Sequence, residues 1–181
     1  VMIKHARLLA IAVAAVVLGA AGGSAAMAGG SDTRAGNTLH ERLTGYEEDP
    51  IVISTTGQGQ LRVQIDEKAQ EITYRLSYAT LEGTVTQAHI HFGGKAQSGG
   101  ISVFLCTNLG NGPAGTQLCP AAPATVTGTI RPGDVIGPVG QGITAGQFTE
   151  LVGAIRAGAT YVNVHSSLYP AGEIRAQLGH H

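Results

Sequence analysis

Tryptophan is missing from this chain, aromatic residues make up 4% of it and charged residues 13%. Set beside 27 glycines, that scarcity suits many short strands and turns and speaks against long, charged surface helices. No run of basic residues occurs, so nucleic acid is excluded as a partner. The acidic run Glu47-Glu48-Asp49-Pro50 lacks the spacing of a calcium loop and reads as a solvated turn. No strained nucleophile turn is present either: Ser166 and Ser167 adjoin His165, but neighbours on a strand point to opposite faces. No catalytic residue is therefore assigned.

The start of the chain is what composition makes plainest. Lys4, His5 and Arg7 precede an almost unbroken apolar run, Leu8 to Ala21, and Ala26-Met27-Ala28 supplies the small residues a signal peptidase reads. Residues 1–28 are expected to be a signal peptide, 29–37 a flexible polar leader, and 38–179 a single domain. The apolar run is short for a bilayer, so no membrane span is expected after cleavage, and the protein should be secreted or periplasmic. Without Lys4 and Arg7, nine of the eleven basic residues remain against twelve acidic ones, a formal charge of −3.

Cys106 and Cys119 are the only cysteines. Neither sits near the cleavage region, which disfavours a lipoprotein, and they lack the CxxC spacing of thiol redox chemistry. In an exported chain the pair reads as a disulfide closing the loop Thr107 to Leu118.

Alternation of apolar and polar residues marks the strands. Leu61, Val63 and Ile65 alternate with Gln60, Arg62 and Gln64, the chain turns at Asp66 to Ala69, and Ile72, Tyr74, Leu76 and Tyr78 alternate on the return, which predicts a hairpin. Further strands are expected at Leu39 to Leu43, Val85 to Phe92, Ile101 to Cys106 and Val126 to Ile130. Two more flank the turn Tyr169 to Gly172, where Pro170 presets φ and Gly172 relieves the corner. A Thr144/Gln147 capping box followed by Phe148, Leu151, Val152 and Ile155 at helical spacing predicts one short helix near 145–157, stopped by Gly158. The expectation is an all-β fold, an antiparallel β-sandwich of the immunoglobulin-like or superoxide-dismutase-like kind.

Two stretches together, AHIHFGG at Ala88 to Gly94 and AGATYVNVHSSLYPAGEIRAQL at Ala157 to Leu178, resemble the signature of the CHRD domain. This is the repeated domain of chordin, which also occurs singly in exported bacterial proteins, and the resemblance runs from about Leu39 to Leu178. It implies a β-sandwich module with no settled biochemical activity. In chordin these domains belong to a secreted antagonist that binds growth factors, alongside Cys-rich modules that this chain lacks. The expectation that follows is a non-enzymatic binding module of the cell surface or periplasm, its partner an unknown extracytoplasmic protein or surface ligand.

His89 and His91 lie two apart on a strand and so project from one face, and His165 shares its face with Tyr161 and Asn163. If the two strands are neighbours, three imidazoles meet on the sheet's outer face. Such a surface three-histidine site suits copper or zinc, and the H-x-H pair with a third strand histidine resembles, by analogy, the copper site of copper/zinc superoxide dismutases. A structural role, with the imidazoles bonded to backbone carbonyls, Asn163 or Glu173, is the competing reading. Glu173 and Arg175 are expected on the outer face, pairing across strands.

Overall fold

The computed structural model describes residues 37–179. The expected signal peptide (1–28), all of the leader but Asn37, and the terminal His180 and His181 lie outside the described residues.

Eight strands form one antiparallel sheet: β1 (Thr38–Thr44), β2 (Gln58–Asp66), β3 (Glu71–Ala79), β4 (Val85–Phe92), β5 (Gly100–Thr107), β6 (Ala124–Ile130), β7 (Thr160–Ser166) and β8 (Ile174–Leu178). Their spatial order is β5-β4-β7-β8-β1-β2-β3-β6, and the sheet curls until its edge strands β5 and β6 come together as a nearly closed sandwich-like barrel. The all-β expectation holds. The β2–β3 hairpin keeps the register that alternation requires, with Leu61 opposite Leu76, Val63 opposite Tyr74 and Ile65 opposite Ile72, all buried. A slip of one residue would turn that whole row to solvent. The Asp66 carboxylate accepts the Ala69 N–H at 3.0 Å and closes the turn.

The inward residues of both halves, among them Ile90, Leu105, Val162, Val164, Ile174 and Leu178, join one core. Each such side chain contributes roughly 1.5–3 kcal/mol on burial. The helix α1 (Phe148–Arg156) adds Phe148, Leu151, Val152 and Ile155 to it. It starts later than the capping box suggests. The Gln147 side chain accepts the Thr144 N–H at 2.6 Å, but Gln147 itself occupies the N-cap position, with no side-chain bond to the first turn. Only half of the box forms, and it shapes the approach to the helix.

The sheet's seam is closed by side chains. Tyr74 Oη donates to Leu105 O at 3.0 Å, and Gln117 Nε2 donates to Leu105 O at 3.2 Å and to Thr127 O at 3.1 Å, bridging β5 and β6. Gln117 sits on the loop held by the Cys106–Cys119 disulfide, which forms as expected.

Candidate metal centre

Strands β4, β7 and β8 carry a second, polar row of side chains on the face away from the apolar core. Register sets it out as a grid: His89 lies opposite Asn163, which lies opposite Arg175, and His91 lies opposite Tyr161, which lies opposite Gln177. His165 completes it opposite Gln87. Two irregularities in the β4–β5 pairing, between Ala88 and His89 and between Ile90 and His91, flank the histidine pair; such bulges re-aim side chains.

The sequence places this face outside, and the structure corrects that. His89, His91 and His165 are buried, at 0%, 8% and 5% exposure, and Glu173 and Arg175 are buried with them. A strand's alternation says that a second face exists; it does not say whether loops cover it. Here backbone from residues 93–99 and 167–172 covers it. Gly99 O accepts from His91 Nδ1 at 2.9 Å, and Pro170 O accepts from His165 Nδ1 at 2.9 Å. Arg175 donates to Gly94 O at 3.1 Å and Gln97 O at 3.0 Å, while its guanidinium lies 3.5 Å over the Tyr161 ring. Gln177 Nε2 donates to Gly93 O at 2.9 Å. Among the described residues Glu173 has no cross-strand cation as a partner. Its carboxylate accepts from Thr55 Oγ1 and from the Glu82 N–H, each at 2.7 Å, and so ties two further loops to the corner.

Glu48 is the residue that sequence reasoning misplaced most. Expected in a solvated turn, it is 7% exposed and lies against the Tyr169–Gly172 corner. A Cβ at Gly172 would stand 2.5 Å from its Oε2, and Gly172 has φ +141°, so glycine is required there on both counts. Burial pushes the Glu48 carboxyl up to about 8, with Arg175 and Asn163 pulling the other way. No local signal marks Glu48, because what buries it is about 120 residues away in the chain.

The imidazoles are crowded. His89 Nδ1 stands 3.2 Å from His165 Nε2, and one nitrogen from each of the three rings lies within 4.8 Å of the other two. His91 stacks on Tyr161 with centroids 4.7 Å apart, and Phe104 meets His89 edge-on at 4.4 Å. Burial, then the neighbouring His165 and His91, holds His89 down to about 2; burial also holds His91 down to about 4 against the pull of the Gly99 carbonyl, and lowers His165. All three are neutral at neutral pH.

Their tautomers follow from their partners. A carbonyl oxygen only accepts, so His91 and His165 carry their protons on Nδ1 and present bare Nε2 lone pairs. With His165 Nε2 bare, His89 Nδ1–H donates to it and His89 Nε2 is left bare instead. His89 Nε2 has no hydrogen-bond partner among the described residues; the Asn163 side chain stands beside the His91 ring and the Glu48 carboxyl and acts on both, but not at good hydrogen-bond geometry, so His91 Nε2, Asn163 Oδ1 and Glu48 Oε1 are also short of a partner. Each buried acceptor left in that state costs about 1–3 kcal/mol. Ser166 and Ser167 take no part: their hydroxyls accept the Tyr169 and Thr84 N–H groups and hold the turn.

A family profile described as CHRD domain matches residues 39–178. No curated protein and no solved structure matches the chain.

Proposed function

The chain belongs to the CHRD domain family, and on that premise we propose that it is an exported domain which holds one copper or zinc ion between His89, His91 and His165. The observation that carries this reading is the meeting of three buried, neutral imidazoles, each offering a nitrogen within 4.8 Å of the others. Neutral imidazole is a ligand for both metals, and the carbonyls of Gly99 and Pro170 orient two of the rings as backbone acceptors do in metal sites. Bonds of about 2.0–2.1 Å place ligand nitrogens within roughly 4.2 Å of one another; His89 Nδ1 and His165 Nε2 at 3.2 Å have that spacing once the His89 proton moves from Nδ1 to Nε2. The widest separation is at most 4.8 Å, so the rings must draw together slightly for all three to reach one ion. A bound ion would take up the His91 Nε2 lone pair and replace the His89–His165 hydrogen bond with two metal bonds.

The test uses tag-free protein in which His180 and His181 are replaced by alanine, so that the tail adds no ligands. Metal analysis and calorimetric titration should find one equivalent of copper or zinc, with a rise in melting temperature. At a hundredfold excess over Kd the gain is about 2.7 kcal/mol. His91→Ala and His165→Ala should each abolish it. Equal metal content and equal stabilisation in the triple His→Ala variant would reject the site.

Export rests on the basic start, apolar run and Ala26-Met27-Ala28 exit of the first 28 residues. The partner then lies outside the cytoplasm, as a protein or a surface ligand. Protein recovered from medium or periplasm should begin near Gly29; a chain retained in the cytoplasm with an intact start would count against export.

A further inference from the structure

The other half of the sheet carries a feature that the linear sequence conceals. On the outer face of β1, β2, β3 and β6, His40 stands opposite Arg62, Arg62 opposite Arg75, and Arg42 opposite Gln60 one row away, with Ser77 next in that row. The three arginines are scattered over 34 positions of sequence, where no basic run exists; pairing gathers them into one patch. Like charges directly opposite across strands are destabilising, and the surface ion pairs Arg131–Glu71 and Arg156–Glu67 involve none of Arg42, Arg62 and Arg75; among the described residues Glu41 is the one carboxylate lining the same cleft. The remaining described arginines are engaged: Arg131 with Glu71, Arg156 with Glu67, and Arg175 within the histidine face. Two clefts, of about 570 and 410 Å³, lie on this face and share Arg42, Gln60 and Ser77.

We propose that this four-stranded face is a binding surface for an acidic polysaccharide. The guanidinium groups of Arg62 and Arg75 sit on adjacent strands, roughly 4.8 Å apart at the backbone, and so present a line of fork-shaped donors to carboxylate or sulfate groups. Around them the amide of Gln60 and the hydroxyls of Ser77 and Thr125 offer neutral hydrogen bonds of the kind sugar hydroxyls accept and donate. Apart from the imidazole of His40, no aromatic side chain projects from this face, so it lacks the row of stacking platforms on which single-stranded nucleic acid is held. Nor does it carry a large apolar side chain to enter a membrane interface. The surface lies on different strands from the histidine cluster and does not depend on metal.

The experiment measures binding of the whole protein to dextran sulfate, to polygalacturonate and to an oligothymidylate, at 50 and 200 mM salt. Both polysaccharides should bind and weaken with salt. In Arg62→Gln/Arg75→Gln, affinity should fall about tenfold or more, and the slope against log salt should shrink by about two. The melting temperature of that variant should be equal or higher, since a like-charge pair is removed. Lys68→Gln/Arg156→Gln, equal in charge change but off the face, should alter affinity less than about twofold. Arg42→Gln provides a second, single-site reading. Equal losses in the off-face variant, unchanged binding in both on-face variants, or tighter binding of the oligothymidylate than of either polysaccharide would overturn the proposal.

Discussion

Arg175, 2% exposed, is among the largest side chains the fold encloses, and it is satisfied without a carboxylate. Two backbone carbonyls accept from its Nη2, and its planar guanidinium lies over the Tyr161 ring, which receives its charge. That leaves Glu48 as a buried acid with no obligation to ionise. The folded chain keeps the Glu48 proton up to about pH 8, whereas the unfolded chain releases it near 4.5. Between those values the folded state binds more protons, so stability falls as pH rises. The histidines act in the opposite sense. Unfolded, they take up protons near 6.5; folded, His91 does so only near 4 and His89 near 2. Below pH 6.5 the unfolded state binds more protons, and stability falls as pH drops. Urea unfolding of the metal-free protein should therefore show a maximum near pH 6.5. Glu48→Gln should remove the alkaline arm, a gain of order 3–4 kcal/mol at pH 8 over the wild type, and leave the acid arm in place. An unchanged alkaline arm in that variant would mean that Glu48 is ionised and paired in the fold.

Among the elements, those carried by local pattern were legible and those carried by long-range contact were not. Alternation in Leu61 to Ile65 and Ile72 to Tyr78 announces the β2–β3 hairpin, because one face of that hairpin packs on the core and the other is solvated. The same alternation in Tyr161 to His165 announces β7 equally well, yet its polar face is buried. What covers it is backbone: Gly99 and Pro170 contribute carbonyl oxygens, which no side-chain pattern reveals. The neighbouring of β4 and β7, and with it the meeting of three histidines, was a condition in the sequence and is a fact of the register. The disulfide loop is an element in its own right, since Cys106 is buried near the end of β5 and Gln117 carries the seam's hydrogen bonds. Replacing both cysteines by serine should cost about 3 kcal/mol, the value for a closed loop of this length, read as a lower urea midpoint. A loss much below 1 kcal/mol would mean that Gln117, Asn108 and their partners hold the loop unaided.

At the scale of the molecule, the sheet divides its outer surface into two unlike halves. On β4, β7 and β8 the outer face is roofed and crowded with imidazole around the buried guanidinium of Arg175; on β1, β2, β3 and β6 it is open, cationic and lined with amides and hydroxyls. Sequence reasoning found the first half through a family signature and missed the second, because cations spaced along three strands become a patch only through pairing. The closed seam bears on how either half can be used. On β5, the outward-facing backbone groups of Ser102, Leu105 and Thr107 are taken by Ile136, by Tyr74 with Gln117, and by the Gln117 carbonyl, and on β6 the Thr127 carbonyl is taken by Gln117. At these positions a foreign strand finds no free edge to extend, so recognition by β-strand addition is shut out there. Where a ligand meets this domain through its sheet, it does so side chain by side chain, and its selectivity is written in residues that point substitutions can edit.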